Sequence, residues 1–166
     1  MLDSLRSLSD AACTSADSIS AVFELLADSE PQVRIAVLRK GLPATMLDPM
    51  ASLIGWSREA AIEAFHLPRS TISRKIRLKQ PLDLHSSERM LAVLDLIALV
   101  ERLVKESGDP ETKEVQEFVA ARWLGNWLAT PHPALLGEKP ESYLDTHEGI
   151  RFIRRLLEQM QSGSYA

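Results

Sequence analysis

The chain of 166 residues contains one cysteine, Cys13, and only seven glycines. A lone thiol excludes an intramolecular disulfide and every multi-cysteine zinc pattern, and it suits a reducing cytoplasm. No two glycines are close enough to form a phosphate-cradling loop, and a Gly-x-Ser-x-Gly nucleophile turn is missing. His66, His85, His132 and His147 are scattered through the sequence, so solvated or capping roles suit them better than metal binding. Cys13 has no neighbouring base or pair of cations to activate it. The longest apolar runs are too short to cross a bilayer, and a charged-apolar-small leader pattern is lacking. An enzyme, a cofactor, a bound metal, secretion and a membrane location are all unexpected on these grounds.

Alternating apolar and polar β-branched runs are missing too. Apolar side chains three and four residues apart recur instead from end to end, which predicts an all-α fold. The expected helices cover roughly residues 17–28, 31–40, 46–54, 58–65, 70–78, 87–106, 112–129 and 147–161. Breakers separate them: Glu30-Pro31, Gly41-Leu42-Pro43, Gly55, Gln80-Pro81, Gly108-Asp109-Pro110 and the Pro131 to Pro140 stretch. A chain of this length buries about two-thirds of its unfolded surface and needs no staple to fold.

The formal charge is −4, from 19 basic and 23 acidic residues, but it is unevenly placed. Residues 1–30 hold six acids against Arg6 alone, whereas Arg69, Arg74, Lys75, Arg77 and Lys79 form a block without an acid. That block ends the strongest motif in the chain. Residues 54–76 read as two short helices with a tight corner: Ser57 caps the first, Ala61, Ile62 and Phe65 form its inner face, and Leu67 fills the corner. Ile72 and Ile76 form the inner face of the second helix. Its outer face carries Arg69, Ser70, Thr71, Ser73, Arg74, Lys75 and Arg77, the hydroxyls and cations that phosphates and guanine edges accept. The corner departs from the usual helix-turn-helix, with His66 where Gly is common and Ile62 where a small residue is expected. Looser packing follows, and an αα-hairpin with a solvated basic face stands as the alternative to DNA binding.

Between Met90 and Val100 only Asp95 is polar, so the helix at 87–106 must be covered on several sides. It is either buried within one subunit or meets its own copy across a dimer axis. The last helix is amphipathic, with Ile150, Ile153, Leu157 and Met160 on one stripe and Arg151, Arg154 and Arg155 facing elsewhere. Asp145 or Thr146 caps its start and Gly163 ends it. Trp123 and Trp127, one helical turn apart, suit a core or an interface rather than a ligand cage. The proline-rich loop after them either turns the chain so that Leu135, Leu136, Tyr143 and Leu144 fill the core, or offers an interface, or does both.

From Trp127 through Thr130-Pro131-His132-Pro133, Leu136-Gly137-Glu138-Lys139-Pro140, Leu144-Asp145-Thr146 and Gly149 to Gly163-Ser164-Tyr165-Ala166, the chain resembles the toxin-binding domain of the Xre/MbcA/ParS antitoxins. Upstream, residues 71–76 and Ser87-Glu88-Arg89 are similar to the same family's helix-turn-helix and linking helix. Glu138 departs from the pattern, where a second small residue is common. The resemblance covers roughly residues 30–166. It implies an antitoxin that occupies the active site of a RES-type toxin, which consumes or transfers NAD, and that represses its own operon. The alternative is a stand-alone helix-turn-helix transcriptional regulator without a toxin partner; in either case a homodimer at a palindromic operator is expected. The implied domains are an acidic extension at 1–30, the DNA-binding domain at 31–86, a linking or dimerisation helix at 87–110 and the toxin-binding domain at 111–166. The implied toxin-facing residues are Trp127, Leu135, Leu136, Arg151, Arg154, Arg155, Gly163, Ser164, Tyr165 and Ala166. The three residues after Gly163 reach about 10 Å when extended, enough to enter a cleft.

Overall fold

A computed structural model describes Ile19, Val22, Leu26, residues 29–107 and residues 112–161 of the chain. Within these residues every regular element is helical, as the periodicity predicts. No helix among them is long and apolar enough to cross a membrane. The chain divides into two compact units, Met1–Leu91 and Ala92–Ala166.

In the first unit, α1 spans Pro31–Lys40, a 3-10 turn at Ala44–Met46 leads into α2 at Leu47–Ile54, and α3 and α4 follow at Arg58–Ala64 and Arg69–Arg77. Proline at the first position of α1 and Pro49 in the first turn of α2 are tolerated because those turns have no intrahelical use for the missing N–H. Arg58 of α3 grips Asp48 of α2 with two guanidinium donors. The core beneath is apolar: Met46, Leu47, Met50, Ile54, Phe65 and Ile72 are fully buried. Ile19, Val22 and Leu26, helical at the described positions of the expected 17–28 helix, are buried as well. The segments that follow α1 and α4 are stitched together, since Leu82 N–H donates to Leu42 O at 2.8 Å and Ala44 N–H to Gln80 O at 3.1 Å.

The long helix α5 spans Leu84–Ser107 and starts three residues earlier than the periodicity predicts. Asp83 is the reason. Its carboxylate accepts from the Ser86 N–H at 2.9 Å and the Ser86 hydroxyl at 2.8 Å, capping the first turn. Partial burial pushes the Asp83 carboxyl up, but those Ser86 bonds and the nearby Lys75 charge outweigh it and hold the group below the usual carboxylate range. Ser87, wholly buried, accepts from Leu42 N–H at 3.0 Å and donates to Asp83 O at 2.8 Å. The apolar circumference of α5 is covered within the single chain: Met90, Leu91, Val93, Leu94, Leu96, Ile97, Leu99 and Val100 are all buried.

The second unit holds residues 92–107 of α5, then α6 at Lys113–Gln116, α7 at Ala120–Leu128, 3-10 turns at Pro133–Leu135 and Pro140–Tyr143, and α8 at His147–Gln161. The single helix expected over 112–129 is therefore broken. Val119 is extended at φ −107° and ψ 93°, and Phe118 contacts the Trp123 ring at 6.2 Å. An aromatic and a β-branched residue in sequence weaken helical propensity there, and the ring contact favours the break. Residues of α5, α7 and α8 surround a small cavity of about 140 Å³ lined by Val100, Leu103, Val104, Trp123 and Leu157.

Candidate functional site

Helices α3 and α4 form the corner that the sequence predicts. Ser57 caps α3 by accepting from Ala60 N–H at 3.1 Å. At the other end His66 takes the left-handed conformation, φ 48°, in the place where Gly is common. Its N–H donates to Glu63 O at 2.9 Å and that of Leu67 to Ile62 O at 2.9 Å, the bond pair that closes a helix end. The expected looseness is not found: Ile62, Phe65, Leu67 and Ile72 are all buried. Part of the reason lies outside the motif. Arg89 of α5 donates from one guanidinium nitrogen to Phe65 O at 3.0 Å and His66 O at 3.2 Å, placing a cation on the carbonyl end of α3. Sequence reasoning assigned Arg89 no contact, because the bond crosses 23 residues and no periodicity signals it.

The outer face of α4 presents Arg69, Ser70, Ser73, Arg74 and Arg77 to solvent, with Thr71 and Lys75 half-buried. These cations are not equivalent. Arg69 faces Glu63 at 3.6 Å, and the Lys75 ammonium donates to Pro81 O at 2.8 Å. The side chains of Arg74, Arg77 and Lys79 have no hydrogen bond or ion pair among the described residues, so three cations along one helix and its exit stand without a described counter-charge. Such an arrangement suits a polyanion.

The second candidate surface lies in the other unit. Trp127 stacks on Trp123 with centroids 6.2 Å apart and meets His132 edge-on at 5.7 Å. Its indole N–H is buried without a hydrogen-bond partner among the described residues. The loop beyond is closed by its own backbone: His132 N–H donates to Glu138 O at 2.9 Å, Leu135 N–H to His132 O at 2.9 Å, and Gly137 N–H to His132 O at 3.1 Å. His132 Nδ1 accepts from Ala134 N–H at 3.2 Å. The loop separates its two leucines. Leu135 is buried, whereas Leu136 is 99% exposed and left-handed at φ 56°. Glu138, the departure from the family pattern, accepts from the Tyr143 hydroxyl at 3.0 Å, and that bond raises the Tyr143 pKa.

Tyr143 also meets the Phe152 ring at 5.7 Å, edge-on. Of the two candidate caps for α8, Thr146 serves, its hydroxyl accepting from Gly149 N–H at 3.0 Å. Ile153, Leu156 and Leu157 turn inward, Phe152 is over a third exposed, and Ile150 and Met160 are half-buried. Glu148 pairs with Arg151 at 3.3 Å and Arg155 at 3.5 Å, while Arg154 is half-buried. Gly163, Ser164, Tyr165 and Ala166 lie outside the described residues, as does Cys13.

Two family models match the chain. The antitoxin Xre-like helix-turn-helix domain covers residues 33–95, and the antitoxin Xre/MbcA/ParS C-terminal toxin-binding domain covers residues 117–163. The chain is also 35% identical, over 144 residues and 87% of each protein, to the Prs ADP-ribosylating antitoxin of Sphingobium sp. (strain YBL2).

Proposed function

The chain belongs to the Xre/MbcA/ParS antitoxins, with a helix-turn-helix domain and a toxin-binding domain, and from that membership we propose that it captures a RES-type, NAD-consuming toxin at the mouth of its active site. Leu136 carries this reading. A leucine with its whole side chain in water, on left-handed backbone that costs an L-residue about 1–2 kcal/mol, is disfavoured twice in the free protein. Burial against a partner removes one of those penalties and explains the other, because the surrounding hydrogen-bonded loop holds the side chain ready at little entropic cost. Trp127 and buried Leu135 support the loop from beneath; Arg151, Arg154 and Arg155 form a polar rim; and Gly163, Ser164, Tyr165 and Ala166 enter the cleft. The name of the Sphingobium relative joins an antitoxin to ADP-ribosylation, a reaction whose donor is NAD, which supports an NAD-consuming target.

The antitoxin acts by binding, not by catalysis, and it works in the cytoplasm. It also represses its own operon. Arg69, Ser70, Thr71, Ser73, Arg74, Lys75 and Arg77 face a palindromic operator, with Arg74 and Arg77 the cations free to engage it, and a homodimer supplies two half-sites about 34 Å apart. Dimerisation uses a surface other than the apolar girth of α5, which its own chain covers. In this organisation residues 31–86 bind DNA, 87–110 link and 111–166 bind toxin, after the acidic extension at 1–30.

The test is co-expression with the product of the adjacent gene, followed by co-purification and an NAD-consumption assay. Burying a leucine is worth about 1.5–3 kcal/mol, so Leu136→Gly weakens toxin binding by about ten- to a hundredfold with the helical signal unchanged. Deletion of residues 163–166 releases toxin activity. Full neutralisation by both variants refutes the proposal.

A further inference from the structure

The chain closes three helices of the first unit with the same pair of backbone bonds. At the end of α2, Gly55 N–H donates to Ser52 O at 3.2 Å and Trp56 N–H to Ala51 O at 2.8 Å. At the end of α3, His66 and Leu67 repeat the pattern. At the end of α4, Lys79 N–H donates to Ile76 O at 3.1 Å and Gln80 N–H to Lys75 O at 2.8 Å. The central residue must be left-handed in each case: φ is 82° at Gly55, 48° at His66 and 50° at Lys79. Glycine does this freely, whereas a β-carbon meets the following carbonyl oxygen and makes the conformation costly.

Glycine therefore stands at the end of α2, while the two helix ends that bracket α4 carry side chains. For His66 a local compensation is visible, since Arg89 binds its carbonyl. Lys79 has none. It is exposed, and its ammonium has no hydrogen bond or ion pair among the described residues. The helix dipole favours a lysine there only weakly at an exposed site, which at most cancels the backbone penalty. Internal stability thus gives no reason to prefer Lys79 over glycine.

An external anion does. Helix α4 has nine residues and so spans about 13 Å, close to the roughly 12 Å width of a major groove, and a residue just past its end comes within reach of a phosphate rim. A flexible stem with a compact charge suits phosphate rather than a base edge. We propose that Lys79 is a DNA-backbone contact that anchors the exit of α4, with its strained backbone aiming the stem outward. This rests on the DNA-binding reading of α4.

The substitution Lys79→Gly tests it cleanly, because the chain itself shows glycine closing the same motif at Gly55. Purified full-length wild type, Lys79→Gly and Lys79→Arg are titrated against a duplex of the promoter region upstream of the gene and against a scrambled duplex, at several KCl concentrations. Lys79→Gly keeps or raises the melting temperature, weakens binding to both duplexes by the same factor, and lowers the log-log salt slope by about 0.9, the signature of one lost phosphate contact. Lys79→Arg restores the slope. A wild-type protein that binds with a salt slope which Lys79→Gly leaves unchanged overturns the inference alone. A wild-type protein that binds neither duplex overturns the DNA-binding reading beneath it.

Discussion

Gly149 sits in the first turn of α8, and a β-carbon built there would lie 2.0 Å from the Tyr143 carbonyl oxygen and 2.9 Å from the Thr146 hydroxyl. Ordinary contact begins near 3.4 Å, so Gly149→Ala must push the carbonyl back by about 1.4 Å, the difference between 3.4 and 2.0 Å. That carbonyl belongs to the 3-10 turn Pro140–Tyr143, which packs against both α7 and α8, so the strain spreads to the loop that holds Leu136. Overpacking against backbone costs about 3 kcal/mol and disturbing the Thr146 cap about 1 kcal/mol more. Helical propensity works the other way, since alanine is favoured over glycine by about 1 kcal/mol. The clash wins, with a net loss of about 3 kcal/mol. For a chain of this size each kcal/mol moves the thermal midpoint by about 2–4 °C, so circular-dichroism melting of Gly149→Ala should fall by about 6–12 °C. A midpoint within about 2 °C of wild type would show that the turn yields without strain, and the reasoning would be wrong.

Three further outcomes follow from other contacts. Replacing Arg89 with Met leaves the carbonyls of Phe65 and His66 without their cation; it should cost about 1.5–3 kcal/mol in denaturant unfolding, and equal midpoints for the two proteins would remove Arg89 from the corner. Ser87→Ala orphans the buried Leu42 N–H and should cost about 1–3 kcal/mol, whereas a neutral result would mean that water replaces the hydroxyl. The depressed Asp83 carboxyl contributes stability that is complete above its unfolded pKa of about 3.9 and is lost as pH falls through its lower folded value. Acid titration of Asp83→Asn should therefore show a shallower loss of stability below about pH 4 than wild type, and superimposable curves would exclude the cap as the source.

Much of this molecule is legible in one dimension because the relevant physics is local. Helical class, most breakers, the Ser57 cap and the inward face of α8 follow from periodicity and capping chemistry, which act within a turn or two of chain. The start of α5 is readable in principle, since Asp83 three residues before Ser86 is a capping signature, but the apolar periodicity alone places it at 87. The break at Val119 was not readable. Its cause includes a ring contact between Phe118 and Trp123 that a helical pattern over 112–129 does not register.

The candidate surfaces divide in the same way. Sequence alone determined the family resemblance, the basic content of α4 and the proline-rich loop, because residue identity and spacing are sufficient for all three. Only tertiary structure decided which charges meet a partner among the described residues, with Arg69 and Lys75 turned to Glu63 and Pro81 and with Arg74, Arg77 and Lys79 exposed. It also decided that of two adjacent leucines one is core and the other is wholly in water. Neighbours in sequence have the same chemistry, but exposure depends on where the folded backbone aims each Cβ, and at Leu136 a left-handed residue held by the loop's own hydrogen bonds reverses that aim.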